Sequence, residues 1–331
     1  MRIDVHNHAL PETAIELLAR ESVYGATVED GVWRGGVHVR FAVGRSFVDA
    51  DAKLAELESK ELEGAVVSVT PTLFYYHVDA EAGEAMAVAV NDGIAAMAAE
   101  RPERLRWMAT VPLQAPERAV AVLEDAAAAG AVGVEIGSSA GPGRRLDEPS
   151  LEPFWAAAER LGLPVMIHPA YVAPNPALGD YYLENVIGFP LETTIAIERL
   201  ICAGTLDRHP GLRVVLLHAG GYFPWQAGRL RHAATVRPEL AGSPRDPWSY
   251  LGQVMLDPIT HDAVALSYLV ARVGSEHLVL GTDLPFDMAT PEPMAMLRAV
   301  CNEDEVRAIA EHNPARLYRF TNERSGAPCP T

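Results

Sequence analysis

Short runs of apolar, mostly β-branched residues recur along the whole chain, at 2–5, 65–69, 106–111, 132–136, 164–167, 213–217, 253–256 and 278–280. Their near-continuous apolar character suits strands buried on both faces, as in a parallel sheet. Helical patterns lie between them, and their ends are punctuated. The Ala-, Glu- and Met-rich stretch 80–101 stops at Pro102. The stretch 116–129 opens with Pro116 and closes at Gly130, the usual asymmetry of helix ends. Further patterns at 153–161, 193–203 and 263–273 each run into a glycine, and 303–312 stops ahead of Pro314. Eight strands alternating with helices predict an α/β fold, a (β/α)8 TIM barrel.

Two excursions interrupt the alternation, residues 9–50 after the first strand and 169–192 after the fifth. Both fall on the side of the barrel where the strands end. Within the first, residues 22–47 hold Gly, Val, Trp and Phe in partial alternation, the pattern of a small hairpin lid inserted after strand 1. Residues 1–320 read as one barrel domain with this insertion, and 321–331 as a polar tail.

Composition narrows the partners. The chain of 331 residues is 49% hydrophobic and 21% charged, an ordinary globular balance, with a formal net charge of −17. So acidic a chain argues against nucleic acid and anionic membrane as partners. No apolar run reaches the roughly 18 residues of a membrane span. The first residues, Met1-Arg2-Ile3-Asp4, carry charge where a signal peptide would be apolar. Cys202, Cys301 and Cys329 are too scattered for a disulfide framework or a cysteine metal site. A soluble, cytoplasmic protein is the expectation. Only Lys53 and Lys60 are lysines, and both fall in a helical stretch ahead of the second strand.

The candidate chemistry sits where strands end. The first ends in His6-Asn7-His8, the fifth in His168, the sixth in His218 and the eighth in Asp283. Positions i and i+2 of a strand share a side, so His6 and His8 both aim into the barrel mouth. Strand ends converge there in this fold. A lone His-x-His is a weak signal; imidazoles and a carboxylate at four strand ends are a strong one. Histidine nitrogens with one carboxylate suit a divalent ion, Zn2+ first and Mn2+ second, with a position left for water whose pKa falls to about 7.

These segments resemble the amidohydrolase superfamily: Ile3-Asp4-Val5-His6-Asn7-His8, Ile167-His168-Pro169, Leu217-His218-Ala219-Gly220-Gly221 and Gly281-Thr282-Asp283-Leu284-Pro285-Phe286. The similarity is narrower to the aminocarboxymuconate-semialdehyde decarboxylase branch and runs over nearly the whole chain. It implies a mononuclear metal held by His6, His8, His168 and Asp283, with His218 as general base and acid beside it and Asp283 shared with the catalytic set. It implies a homodimer, with Arg229 reaching a small-molecule carboxylic acid across the interface. Arg45 or Arg40 stands in for the family's second arginine, neither in clean alignment. The absence of a lysine near a strand end independently favours one metal, because the dinuclear branches bridge two metals with a carboxylated lysine.

Phe74 and Tyr222 head aromatic clusters after the second and sixth strands and are expected to wall a flat, conjugated ligand. Asp257, ending the seventh strand, is open between a pocket contact and an arginine partner. The leading function is non-oxidative decarboxylation of an unsaturated or aromatic acid. The alternatives are a metal-dependent hydrolase of an amide, lactone or C–C bond, and an inactive metal-binding structural protein.

Overall fold

The computed structural model describes residues 1–35, 39–240 and 246–320; the tail at 321–331, with Cys329, and His38 lie outside the described residues. In chain order the strands are β1 (Ile3–Ala9), β2 (Ala26–Glu29), β3 (Val32–Gly35), β4 (Val39–Ala42), β5 (Gly64–Val69), β6 (Leu105–Trp107), β7 (Val134–Gly137), β8 (Val165–His168), β9 (Val214–Leu216) and β10 (Val254–Leu256). Two parallel ladders carry the barrel, in the orders β1-β5-β6 and β10-β9-β8-β7.

Single bridges close the ring. Ala109 pairs with Val134, joining β6 to β7. Leu256 pairs with Leu278, so the predicted eighth strand joins β10. That segment returns to β1 through Val5 N–H to the Leu280 carbonyl at 2.8 Å and His8 N–H to the Leu284 carbonyl at 2.7 Å. The eighth stave is thus held by isolated bonds rather than a continuous ladder.

Alternation along the staves separates two faces. Val165 and Ile167, Val214 and Leu216, and Val254 and Leu256 pack outward with helix residues such as Phe154, Ile197, Leu200 and Leu266. Their neighbours Met166, Val215 and Met255 pack inward with Ile3, Val5, Val66, Met108 and Val279, filling the lumen, and Tyr318 and Phe320 join this inner cluster. The barrel is a packed core, not a pore.

The predicted helices form with small shifts. Ala80–Glu100, Pro116–Ala128, Glu152–Leu161 and Ala263–Val273 lie where expected. The helix after β8 starts earlier than its pattern, at Phe189, following a π turn at Glu184–Gly188. The stop expected ahead of Pro314 does not occur. The chain passes from Glu303–Arg307 through a π turn, Ala308–His312, into Asn313–Leu317. Pro314 follows directly on the π turn, and the Ile309 carbonyl five residues back accepts from Leu280 N–H.

The excursion after β1 holds the helix Glu12–Arg20 and the antiparallel sheet β2-β3-β4. One extra strand thus turns the expected hairpin into a three-stranded sheet. Its aromatics lead toward the barrel mouth. Trp33 stacks on Phe41, Phe41 packs on Phe286 at 5.3 Å between ring centroids, and Phe286 packs on His8 at 5.3 Å.

Candidate metal centre

Simple alternation along β1 would not serve both its ends. Ile3 and Val5 face the lumen, so His6 and His8 would face away. The pairing of β1 with β5 shifts between Asp4 and Asn7, where β1 carries one residue more than its partner. This bulge turns the strand so that His6 and His8 also point inward. His168 follows from Met166 by plain alternation, and Asp283 extends the inward positions of the last stave. The ligand atoms of His6, His8, His168 and Asp283 all lie within 4.8 Å of one another, and all four residues are buried.

The ring nitrogens are already sorted. His6 Nδ1 faces Asp257 Oδ2 at 2.9 Å, His8 Nδ1 faces the Val69 carbonyl at 2.8 Å, and His168 Nδ1 faces the Pro169 carbonyl at 2.7 Å. A carbonyl can only accept, so in His8 and His168 Nδ1 carries the hydrogen and Nε2 keeps its lone pair; Asp257 likewise holds a hydrogen on His6 Nδ1. The same division is usual for metal-bound histidines. His6 Nε2 and His168 Nε2 are buried without a hydrogen-bond partner, which is the arrangement a cation would satisfy.

The electrostatics agree. Burial alone would lower the His6 imidazole, but Asp283 and Asp257 outweigh it and push it up to about 10. Burial lowers His8, and lowers His168 strongly. Burial would raise the Asp283 carboxyl, yet His6, His218 and His8 hold it well below the usual carboxylate range. The carboxylates therefore draw a positive charge into the cluster, and the donor set fits a divalent ion.

His218 stands beside the four. Its Nε2 is 3.7 Å from Asp283 Oδ2, and its ring centroid is 5.2 Å from those of both His6 and His168. Alternation past Val215 and Leu217 would point it outward. Instead His218 and Ala219 adopt left-handed φ of 52° and 58° in a tight turn that re-aims the ring. Gly221 makes the turn possible: φ is 62°, and a Cβ there would run into the Pro190 carbonyl. Gly281 plays a similar part across the site, where a Cβ would lie 2.7 Å from His6 Cβ.

Among the described residues, Asp257 neither lines the cavity nor pairs with an arginine. Its carboxylate accepts His6 Nδ1–H, His218 N–H at 3.0 Å, Ala219 N–H at 2.8 Å and Ile259 N–H at 3.1 Å. A carboxylate ending an apolar strand, opposite a histidine strand end, was the signal in the sequence.

Behind β1 lies a second buried network. Asp4 accepts from His6 N–H at 3.1 Å, Asn7 Nδ2 at 2.8 Å, and both Thr282 N–H at 3.1 Å and Thr282 Oγ1–H at 2.5 Å. It thereby pins the bulge to the loop that carries Asp283. Asn7 Oδ1 accepts from Lys53 Nζ at 2.6 Å, and Lys53 Nζ also donates to the His8 carbonyl at 2.8 Å. This corrects the reading for Lys53 alone: it does lie on the helix Ala50–Ser59, but fully buried against the strand of two metal-centre histidines. Burial lowers its ammonium to about 8. Its two acceptors place it behind the strand rather than among the cluster.

A cavity of about 350 Å³ opens over the centre, lined by Asn185, Phe189, His218, Tyr222, Trp225, His261 and Asp283 among others. Tyr222 therefore lies where an aromatic wall was expected. Phe74 does not: it is buried and stacks on Tyr76 at 5.3 Å. Arg45 is not on the cavity either; its side chain is 81% exposed and pairs with Asp49 at 2.9 Å. The 3-10 turn Arg45–Phe47 buries Phe47 against Phe286 and leaves the Arg45 side chain in solvent. Arg229 is exposed on the helix Phe223–Val236 and does not line the cavity of its own chain. Phe189 supplies an aromatic directly before Pro190 that the sequence reading did not assign.

The comparisons extend over the same elements. A model of the amidohydrolase family matches residues 3–320. The chain is 31% identical over 311 residues to 2-amino-3-carboxymuconate-6-semialdehyde decarboxylase of Dictyostelium discoideum, covering 91% of this chain and 86% of that one. It is 28% identical to gamma-resorcylate decarboxylase of Rhodococcus jostii, covering 82% and 87%. Among solved structures it superposes on Metarhizium anisopliae IDCase in apo form with a TM-score of 0.84 and 27% identity, covering 97% of both chains. With 5-carboxyvanillate decarboxylase LigW of Sphingomonas paucimobilis the TM-score is 0.81 and the identity 26%, covering 97% and 99%. The match reaches from the first histidine strand to the last helix, so this chain belongs to the amidohydrolase family, in its 2-amino-3-carboxymuconate-6-semialdehyde decarboxylase-like branch.

Proposed function

We infer that the protein is a metal-dependent non-oxidative decarboxylase, a carboxy-lyase acting on a small unsaturated or aromatic carboxylic acid. One observation carries this reading: the buried group His6, His8, His168 and Asp283, with His218 beside it, opens on a cavity with aromatic walls. The decarboxylases reported above as relatives support it. His6, His8, His168 and Asp283 would hold one divalent ion, zinc or manganese. When bound, the ion supplies Lewis acidity next to the cavity.

The remaining chemistry is a proton transfer. The bond between carbon and carboxylate breaks with its electron pair left on the carbon, carbon dioxide departs, and that carbon takes up one proton. His218 is placed to deliver it, since its ring both lines the cavity and neighbours Asp283. Asp257 holds His218 in position through two backbone N–H groups. Phe189, Tyr222 and Trp225 offer flat faces to a conjugated acid.

The enzyme works as a cytoplasmic homodimer in which Arg229 meets the substrate carboxylate in the partner's cavity. Exposed Val186, Leu191, Ile195 and Trp225 near that helix supply apolar surface for the contact. Metal-loaded protein is incubated with 2-amino-3-carboxymuconate-6-semialdehyde and with hydroxybenzoic acids, and carbon dioxide is measured. Release from one of them with one proton gained by the product is the expected result. Product formation without carbon dioxide would reassign the protein as a hydrolase.

A further inference from the structure

The cavity is short of basic groups. Among the lining residues of its own chain only His218 and His261 carry a basic side chain; Arg45 and Arg229 of that chain are not among them, and the Arg229 proposed to reach the leaving carboxylate comes from a second copy. His218 is committed to proton transfer. His261 is outside the metal group and exposed, and its ring makes no hydrogen bond to the described residues. Its backbone is held in the left-handed region at φ 53°, an unfavourable conformation for a non-glycine residue and one that clusters at functional sites.

The neighbours fix that conformation. Ile259 N–H is tied to Asp257, which also holds His6 and the His218 turn. On the other side Asp262 caps the helix Ala263–Val273 by accepting from Ala265 N–H at 2.8 Å, and Thr260 Oγ1–H donates to the Asp262 carbonyl at 2.9 Å. Both flanks of His261 are anchored while its ring is left free on the cavity wall.

We propose that His261 is a specificity residue that donates a ring N–H to an acceptor oxygen, carboxylate or hydroxyl, which the acid carries in addition to the carboxylate that leaves. Imidazole offers an N–H in either neutral tautomer, so the contact does not require protonation. A donor on the cavity wall favours acids whose oxygen it can pair with, and an analogue lacking that oxygen displaces water from the ring without replacing its hydrogen bond. The proposal rests on the decarboxylase reading for which carboxylate leaves.

The test uses zinc-loaded full-length protein and measures binding of benzoate, 3-hydroxybenzoate and benzene-1,3-dicarboxylate by calorimetry. Wild type is expected to bind at least one of the two substituted acids tenfold or more tighter than benzoate. His261→Ala should bring that ratio close to one, and His261→Asn, which keeps an N–H donor, should restore part of it, with metal content equal in all three proteins. The better of the two acids tells carboxylate from hydroxyl. A ratio unchanged in His261→Ala, or a wild type with no preference or no binding, overturns the proposal. Preserved preference in a protein that releases no carbon dioxide from any acid counts against decarboxylation alone.

Discussion

Asp257 Oδ2 lies 2.9 Å from His6 Nδ1, and the same carboxylate receives the backbone N–H groups of His218 and Ala219. One buried side chain thus orients a metal-centre histidine and the turn that aims His218. Four donors converge on it, and it has four lone-pair directions to meet them.

Asp257→Asn therefore breaks the arrangement despite its similar shape. The amide brings one acceptor oxygen and an NH2 that meets donors. His6 loses its orienting carboxylate, and loss of such a partner typically weakens metal affinity about 10–100-fold. Competition of the purified protein with a chelator measures this. Turnover at saturating metal should also fall, since the His218 turn is loosened. Unchanged affinity would show that His6 is held by its packing alone.

His218→Ala separates metal binding from chemistry. The four ligand atoms do not include His218, so about one divalent ion per chain should remain. Turnover should drop by about 10²–10⁴-fold, the usual contribution of a positioned acid or base. Elemental analysis and carbon dioxide release from the same preparation check both halves. Near-full activity would mean that another group delivers the proton.

How far the sequence was legible follows from what each residue depends on. His168 sits on a regular inward position, so an apolar run and its end are enough to place it; Asp283 keeps the inward count from Val279 although its own φ is 69°. His6 and His8 share a side, as i and i+2 require, but the bulge that makes that side the inner one depends on pairing with β5. His218 needs four successive positive φ values, from His218 to Gly221, that the Gly-Gly pair only hints at. Lys53 was misread because a lysine on a helix ordinarily reaches water; its acceptors, Asn7 Oδ1 and the His8 carbonyl, come from another element. Arg45 and Phe74 depended on loop paths with no periodic signal.

The two lysines should behave oppositely. Lys53→Met leaves Asn7 Oδ1 and the His8 carbonyl buried without their donor, and removes the buried positive charge near Asp4. Loss of about 3–5 kcal/mol of stability is expected, with weaker metal binding because His8 lies on the affected strand. Lys60→Met, at the end of the same helix, should change stability by no more than about 0.5 kcal/mol. Urea unfolding of the two variants provides the comparison. Similar small losses would show that water replaces the Lys53 amine.

Glu135 gives a pH signature in the barrel lumen. It alternates with outward Val134 and Ile136, is fully buried, and neither carboxylate oxygen has a well-formed hydrogen bond. Burial raises its carboxyl from 4.5 to about 8, with Ser68 offsetting only part of the effect. The folded protein thus keeps a proton that the unfolded chain has released. Stability from this group is fully present below pH 4.5 and is lost as pH rises toward 8, at about 1.4 kcal/mol per unit. Glu135→Gln stays neutral, so its unfolding free energy, followed by urea unfolding in chelator, should gain on wild type through that window by up to about 5 kcal/mol and hold a constant lead above it. Metal should narrow the gap. Glu135 lies within electrostatic reach of His6 and Asp283, so an added cation there favours its ionised form. Parallel pH curves for the two proteins in chelator would show that Glu135 ionises freely inside the barrel.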